Sequence, residues 1–192
     1  MLINGTEIIG KKVFEYEEID STQDEAKRKS KKENIPDGSI FICNNQTSGK
    51  GTHGRIWHMS GKENLAFTIV LFPNCNIRYL ENITIKIAEC MVNTIEKIYD
   101  CHINIKLPND LIYSNKKLGG ILTESVVQNE KVKKIYIGIG MNVAQNEFPD
   151  EIKEKAISLK QAFNKEFDKN LILNEFCIQF EDNIYKNIKN KI

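Results

Sequence analysis

Residues 117–143 read KLGGILTESVV, then QNE, then K and VKKIYIGIGMNV: two apolar runs on either side of a short polar step. Isoleucine, valine, threonine and tyrosine suit a pleated, half-buried surface, so each run is expected to be a strand, Lys117 to Val127 and Val132 to Val143. The Gln128-Asn129-Glu130 step between them resembles a hairpin connection. Glycines interrupt both runs, Gly119 and Gly120 in the first, Gly138 and Gly140 in the second. A glycine weakens a strand unless something must approach its backbone or the strand bulges there, and both explanations stay open.

Working outward, Ile103 to Leu107 is a third short apolar run. Before it, Leu80, Ile83, Ile87, Cys90, Met91, Thr94, Ile95 and Ile98 recur at helical spacing, which predicts an amphipathic helix over 79–99 packed on a sheet. Asn64 to Phe72 reads as a strand closed by Pro73, and Ser39 to Asn44 is β-like. Between them, residues 46–61 hold four glycines and no hydrophobic period, which predicts a loop. Val13 to Ile19 is a short strand running into Asp20-Ser21-Thr22, side chains that cap a helix beginning near Gln23. At the other end Leu173, Phe176, Cys177, Phe180, Ile184 and Ile188 share a helical stripe. Strands and helices alternate without a strict βαβ rhythm. The expected class is α+β, a mixed, largely antiparallel sheet with helices packed on one face, in a single domain over 1–192.

The bulk numbers agree with an ordinary globular chain: 192 residues, 41% hydrophobic, 28% charged and a formal net charge of +1. That balance supplies no global field for nucleic acid, and the apolar runs are too short to span a bilayer. No secretory signal opens the chain, and five cysteines form no close pair. A cytoplasmic, reducing location is the expectation. No His-x-x-x-His or Cys-x-x-Cys spacing suggests a structural metal, and no Gly-x-Ser-x-Gly elbow suggests a serine hydrolase.

Four segments could carry chemistry. Ser21-Thr22-Gln23 at a strand-to-helix junction is a helix cap or a set of ligand hydroxyls and amides. Gln46 to Trp57 is a solvated loop or a basic, glycine-rich flap that can approach a phosphate. Lys106-Leu107-Pro108-Asn109-Asp110 is a surface turn or a rigid mount for a lysine. The glycine-bearing strands around Lys117 and Asn142 complete the set.

In this order the segments resemble the biotin protein ligase family, over about residues 13–190. That family carries Ser-Thr-Asn, then Gln, a Gly-Arg-Gly-Arg-Arg-Gly-Arg-x-Trp loop, Lys-Trp-Pro-Asn-Asp-Leu, Lys-Leu-x-Gly-Ile-Leu-x-Glu and Gly-x-Gly-x-Asn, and each has a counterpart here. The resemblance implies the fold of that family's catalytic domain, akin to class II synthetases. It implies that biotin and ATP, with Mg²⁺, form biotinyl-5′-AMP, and that biotin then passes to a lysine of a biotin carboxyl carrier protein. Carried over residue by residue, Ser21, Thr22, Gln23 and Gln46 would surround the ureido ring, with Lys50, Gly51, Thr52, Lys106 and Gly120 also on the biotin side. Lys106 and Arg55 would be catalytic, and Arg55, Trp57, Asn109, Lys117 and Asn142 would hold the nucleotide. On this expectation Lys106 and the flap meet over one cavity.

Some features depart from the family. Thr52 and His53 stand where its loop has two cations, and Leu107 replaces a tryptophan. The resemblance further implies a chain lacking the repressor branch's N-terminal DNA-binding unit and a small C-terminal β-barrel, with no DNA partner, no membrane and a possible homodimer through a sheet edge. A lipoate or octanoate ligase or transferase of the same fold is the alternative, and a non-catalytic biotin-binding or sensing module is another.

Overall fold

The chain is described from a computed structural model covering residues 2–59 and 61–190. The 117–143 stretch forms β7 (Lys116–Gln128) and β8 (Lys131–Met141), antiparallel and paired over nearly their whole length. Asn129 and Glu130 both take left-handed backbone, φ 49° and 61°, as a two-residue turn between right-twisted strands requires. On one side β8 pairs with β3 (Leu65–Leu71), β3 with β2 (Ser39–Gln46), and β2 in parallel with β1 (Val13–Ile19). On the other, β7 pairs with β6 (Asp110–Tyr113) and β6 with β5 (Asn104–Lys106). The short β4 (Cys75–Asn76) joins β8, giving an eight-stranded sheet in which only β1–β2 is parallel.

All seven residues of β3 are buried, so both faces of the sheet's middle must be covered. One face is covered by α2 (Ile83–Tyr99) and α4 (Lys169–Phe180), whose Ile87, Met91, Ile95, Phe176 and Phe180 pack with Ile40, Phe67, Ile69 and Ile137. The other face holds Phe41, Val70 and Tyr136, which pack with Ala26 of α1 (Thr22–Lys32). The α+β, largely antiparallel class is as expected. Helices on one face alone are not: alternation along β2 and β3 sends large apolar side chains both ways, and α1 buries the second set.

Towards the C-terminus, α3 (Leu159–Phe163) leads to α4, which continues through a π-helical turn, Glu181–Tyr185, into α5 (Lys186–Lys189). Glu181 is 2% exposed, and its carboxylate accepts the backbone N–H groups of Glu7, Ile8 and Ile9 at 2.6, 2.9 and 2.7 Å. That clamp fastens the N-terminal segment to the last helix. Among the described residues no helix is long and apolar enough to cross a membrane.

Candidate active site

The strand register lays small residues in one row across the sheet. Cys43 of β2 pairs with Ala66, Ala66 with Gly140, Gly140 with Gly120, and Gly120 with Asp110. The middle of this row, Ala66, Gly140 and Gly120, borders a trough floored largely by backbone. The next row, Phe41, Thr68, Gly138 and Leu122, forms its flank. A Cβ at Gly140 would stand 2.4 Å from Trp57 Cε2, and one at Gly138 would stand 2.7 Å from Gln23 Oε1. Of the two explanations open for these glycines, close approach holds at both positions.

With Trp57 laid on Gly140, about 40 Å³ of cavity remains between flap and floor. Ser21, Thr22 and Gln23 enter it from the first turn of α1, and Gln46 from the end of β2. Ser21 is the helix cap: its Oγ accepts the Asp24 N–H at 3.5 Å. Thr22 donates its backbone N–H to Gln46 Oε1 at 2.8 Å, which leaves the Gln46 amide N–H groups as donors. Gln23 Nε2 donates to Glu124 Oε2 at 2.9 Å, and the Thr68 hydroxyl lies 3.1 Å from Gln23 Oε1. Burial pushes the Glu124 carboxyl up, but its bonds with Lys27 and Gln23 outweigh that and hold it below the ordinary range.

The flap closes the trough from above with Lys50, Gly51, Thr52 and Trp57. Trp57 Nε1 is buried without a hydrogen-bond partner, although buried indoles ordinarily find one. It is a donor in the wall with nothing yet to donate to. Near Gly120 stands Lys117, whose Nζ lies 2.6 Å from Asp110 Oδ1 and 3.3 Å from where a Gly120 Cβ would be. Asn109 also lines this side, donating to the Ile121 carbonyl at 3.2 Å.

Eleven expected residues therefore border one space: Ser21, Thr22, Gln23, Gln46, Lys50, Gly51, Thr52, Trp57, Asn109, Lys117 and Gly120. Three do not. Lys106 ends the edge strand β5 and pairs with Asp110, so it stands at the end of the same row of the sheet, with its side chain exposed and not among the residues that border the cavity. The ammonium that borders the cavity is that of Lys117. A register shift between Leu111 and Ile112 pairs Leu111 with Gly119 but Ile112 with Lys117, an extra residue at Leu118. Without that bulge Lys117 and Gly120 would point to opposite faces; the bulge re-aims the lysine over the trough. Arg55 is exposed and folded back on its own turn, Nη2 on Thr52 Oγ1 at 2.7 Å and Nε on the Thr52 carbonyl at 3.1 Å. Asn142 is buried behind the site, where Nδ2 donates to the carbonyls of Lys117 and Ile157 at 3.4 and 3.3 Å. It braces the start of β7. Asp110, which holds Lys117, and Glu124, which holds Gln23, were not singled out by sequence. Both lie in quoted motifs, and for Glu124 the alternation with Gly120 and Leu122 along β7 was the available signal.

A glycine-floored trough with hydroxyls and amides on one helix start, a lysine–carboxylate pair on the floor and a basic flap defines a site for an elongated ligand with an acidic group. The chain belongs to the Biotin/lipoate A/B protein ligase family, whose profile matches residues 16–142. It is 33% identical over 178 residues to the bifunctional ligase/repressor BirA of Bacillus subtilis, covering 92% of this chain and 54% of that protein. It is 26% identical over 152 residues to the biotin–[acetyl-CoA-carboxylase] ligase of Mycobacterium tuberculosis, covering 77% and 54%. The chain thus spans about half the length of these curated relatives. The biotin protein ligase of Aquifex aeolicus, solved in complex with biotin and ATP, superimposes with a TM-score of 0.74 at 29% identity, over 94% of this chain and 71% of that one.

Proposed function

We propose that the chain is the catalytic domain of an ATP-dependent, AMP-forming biotin protein ligase. It joins the biotin carboxylate to the α-phosphate of ATP, releases pyrophosphate, and passes biotin from biotinyl-5′-AMP to a lysine of a biotin carboxyl carrier protein. The observation that carries the reading is the backbone floor of Ala66, Gly140 and Gly120 with Ser21, Thr22, Gln23 and Gln46 on one side of it and Asn109 and Lys117 on the other.

A urea offers two N–H donors and one carbonyl acceptor. The Ser21 and Thr22 hydroxyls and the Gln46 amide supply both kinds of partner, and Gln23 is held beside them by Thr68 and Glu124. Bringing a carboxylate to a phosphate sets two anions together, so a fixed cation is needed where charge concentrates. The Lys117 ammonium fills that role, aimed by Asp110. Mg²⁺ enters on the ATP phosphates. The Trp57 N–H is a ready donor to the ligand, and the flap keeps water from the reactive anhydride. Asn142 contributes by fixing the backbone of Lys117.

Biotin-dependent exchange of labelled pyrophosphate into ATP tests the reading. Exchange with biotin and not with lipoate is expected. Exchange with lipoate alone would make it a lipoate ligase, and no exchange with either would leave a sensing module.

A further inference from the structure

A chain of four hydrogen-bonding side chains, Gln46, Thr22, Thr68 and Gln23, runs along one wall of the trough. Thr22, Thr68 and Gln23 are buried, so their bonding is settled among themselves or with a ligand. At one end Gln46 Oε1 accepts the Thr22 backbone N–H at 2.8 Å, which turns that amide's oxygen towards the chain. Glu124 fixes the other end. Gln23 Nε2 donates to Glu124 Oε2 at 2.9 Å and to the Tyr136 carbonyl at 3.3 Å. A carboxylate and a peptide carbonyl only accept, so the Gln23 amide is held with its oxygen towards Thr68 and over Gly138. The same Glu124 oxygen takes the Lys27 Nζ at 2.6 Å. Both ends of the chain are therefore acceptors, and only the hydroxyls of Thr22 and Thr68 stand between them. These make three contacts: Thr22 Oγ1 with Gln46 Oε1 at 3.2 Å, with Thr68 Oγ1 at 3.0 Å, and Thr68 Oγ1 with Gln23 Oε1 at 3.1 Å. Two hydroxyl hydrogens cannot fill three contacts, so this wall is one donor short and turns lone pairs to the trough.

Resting on the ligase reading, we propose that Glu124 is a specificity-determining positioning residue: by fixing Gln23 it keeps the wall one donor short, so the site selects an acid whose ring carries N–H groups. A ring without N–H leaves the buried acceptors uncompensated. Removing the Glu124 carboxylate lets the Gln23 amide turn over, at the expense of its bond to Tyr136, and supply the missing donor from within the protein. The wall is then complete before any ligand arrives, and a ring N–H gains nothing there. An amide at position 124 keeps the polarity, because Lys27 only donates and draws the amide's oxygen to the place the carboxylate oxygen held.

The test is titration calorimetry of the parent, Glu124→Leu and Glu124→Gln with biotin, with desthiobiotin, which keeps the ring urea, with lipoate, whose ring has no N–H, and separately with ATP. Glu124→Leu is expected to weaken biotin and desthiobiotin by about tenfold each, to leave ATP within about twofold, and not to weaken lipoate. Glu124→Gln is expected to recover most of that loss. Biotin affinity unmoved in Glu124→Leu overturns the inference. So does a loss shared equally by ATP or lipoate, which is general damage to the fold, and so does a Glu124→Gln as weak as Glu124→Leu, which makes the charge and not the orientation decisive. A parent that binds no biotin overturns the inference and the ligase reading together. The expected pattern in a parent that binds biotin but exchanges no pyrophosphate supports the inference and refutes the ligase reading alone.

Discussion

Replacing Lys117 by alanine removes the one ammonium at the floor of the trough, and the structure sets the size of the loss. Its Nζ sits 2.6 Å from Asp110 Oδ1, with the two side chains 35% and 19% exposed. Loss of a fixed electrostatic donor from an active site costs about 3 kcal/mol of transition-state stabilisation. The same change strands the Asp110 carboxylate beside an incoming anion; two like charges 4–6 Å apart at an effective dielectric near 20 repel by roughly 3–4 kcal/mol. Pyrophosphate exchange by Lys117→Ala should therefore fall at least about 10²-fold, and the Lys117→Ala, Asp110→Asn double variant should recover part of it. Lys106→Ala, altering an exposed side chain at the end of the same row but not bordering the cavity, should lose less exchange than Lys117→Ala. Exchange by Lys117→Ala within fivefold of the parent, with Lys106→Ala strongly impaired, would refute the placement of the cation.

Two further outcomes follow from the scaffold. Glu181→Ala leaves three backbone N–H groups without their acceptor, at a cost of about 3–5 kcal/mol, so thermal unfolding should begin at least roughly 6 °C lower; a shift under 2 °C would show the clamp to be idle. Asp20 is held down at about 2, chiefly by its bidentate bonds from Arg28, with burial opposing and the Ser21 N–H assisting. A depressed carboxylate stabilises the fold above its unfolded value, about 3.9, and that stability is lost as pH falls toward 2. Because the pair is 45% and 43% exposed, the contribution is discounted to about 1 kcal/mol or less. Denaturant melts of Asp20→Asn should lose less stability than the parent between about pH 4 and 2, and identical pH profiles would contradict this.

What sequence could and could not reveal divides along physical lines. The 117–143 hairpin, the buried β3 and the amphipathic α2 were legible because burial imposes a period on the residues themselves. Gly138 and Gly140 were legible as anomalies, but what comes close to them, Gln23 and Trp57, depends on pairing between distant strands. That Lys117 shares a face with Asp110 and Lys106 rests on the bulge at Leu118, which changes side-chain parity through one inserted residue and leaves no compositional trace. Arg55 was read as a phosphate ligand from its charge, whereas its direction is fixed by the Thr52 hydroxyl three residues earlier. The second covered face was missed because α1 has just four buried positions, Thr22, Gln23, Ala26 and Ser30, of which one is apolar.

Trp57 is the chain's only tryptophan, it lies against Gly140, and its N–H is unpaired in the trough wall. Its fluorescence therefore reports occupancy of the row of small residues. Titration with biotin should change the emission saturably, over the concentrations that support pyrophosphate exchange. An emission that stays constant while exchange proceeds would place the reaction somewhere other than this trough.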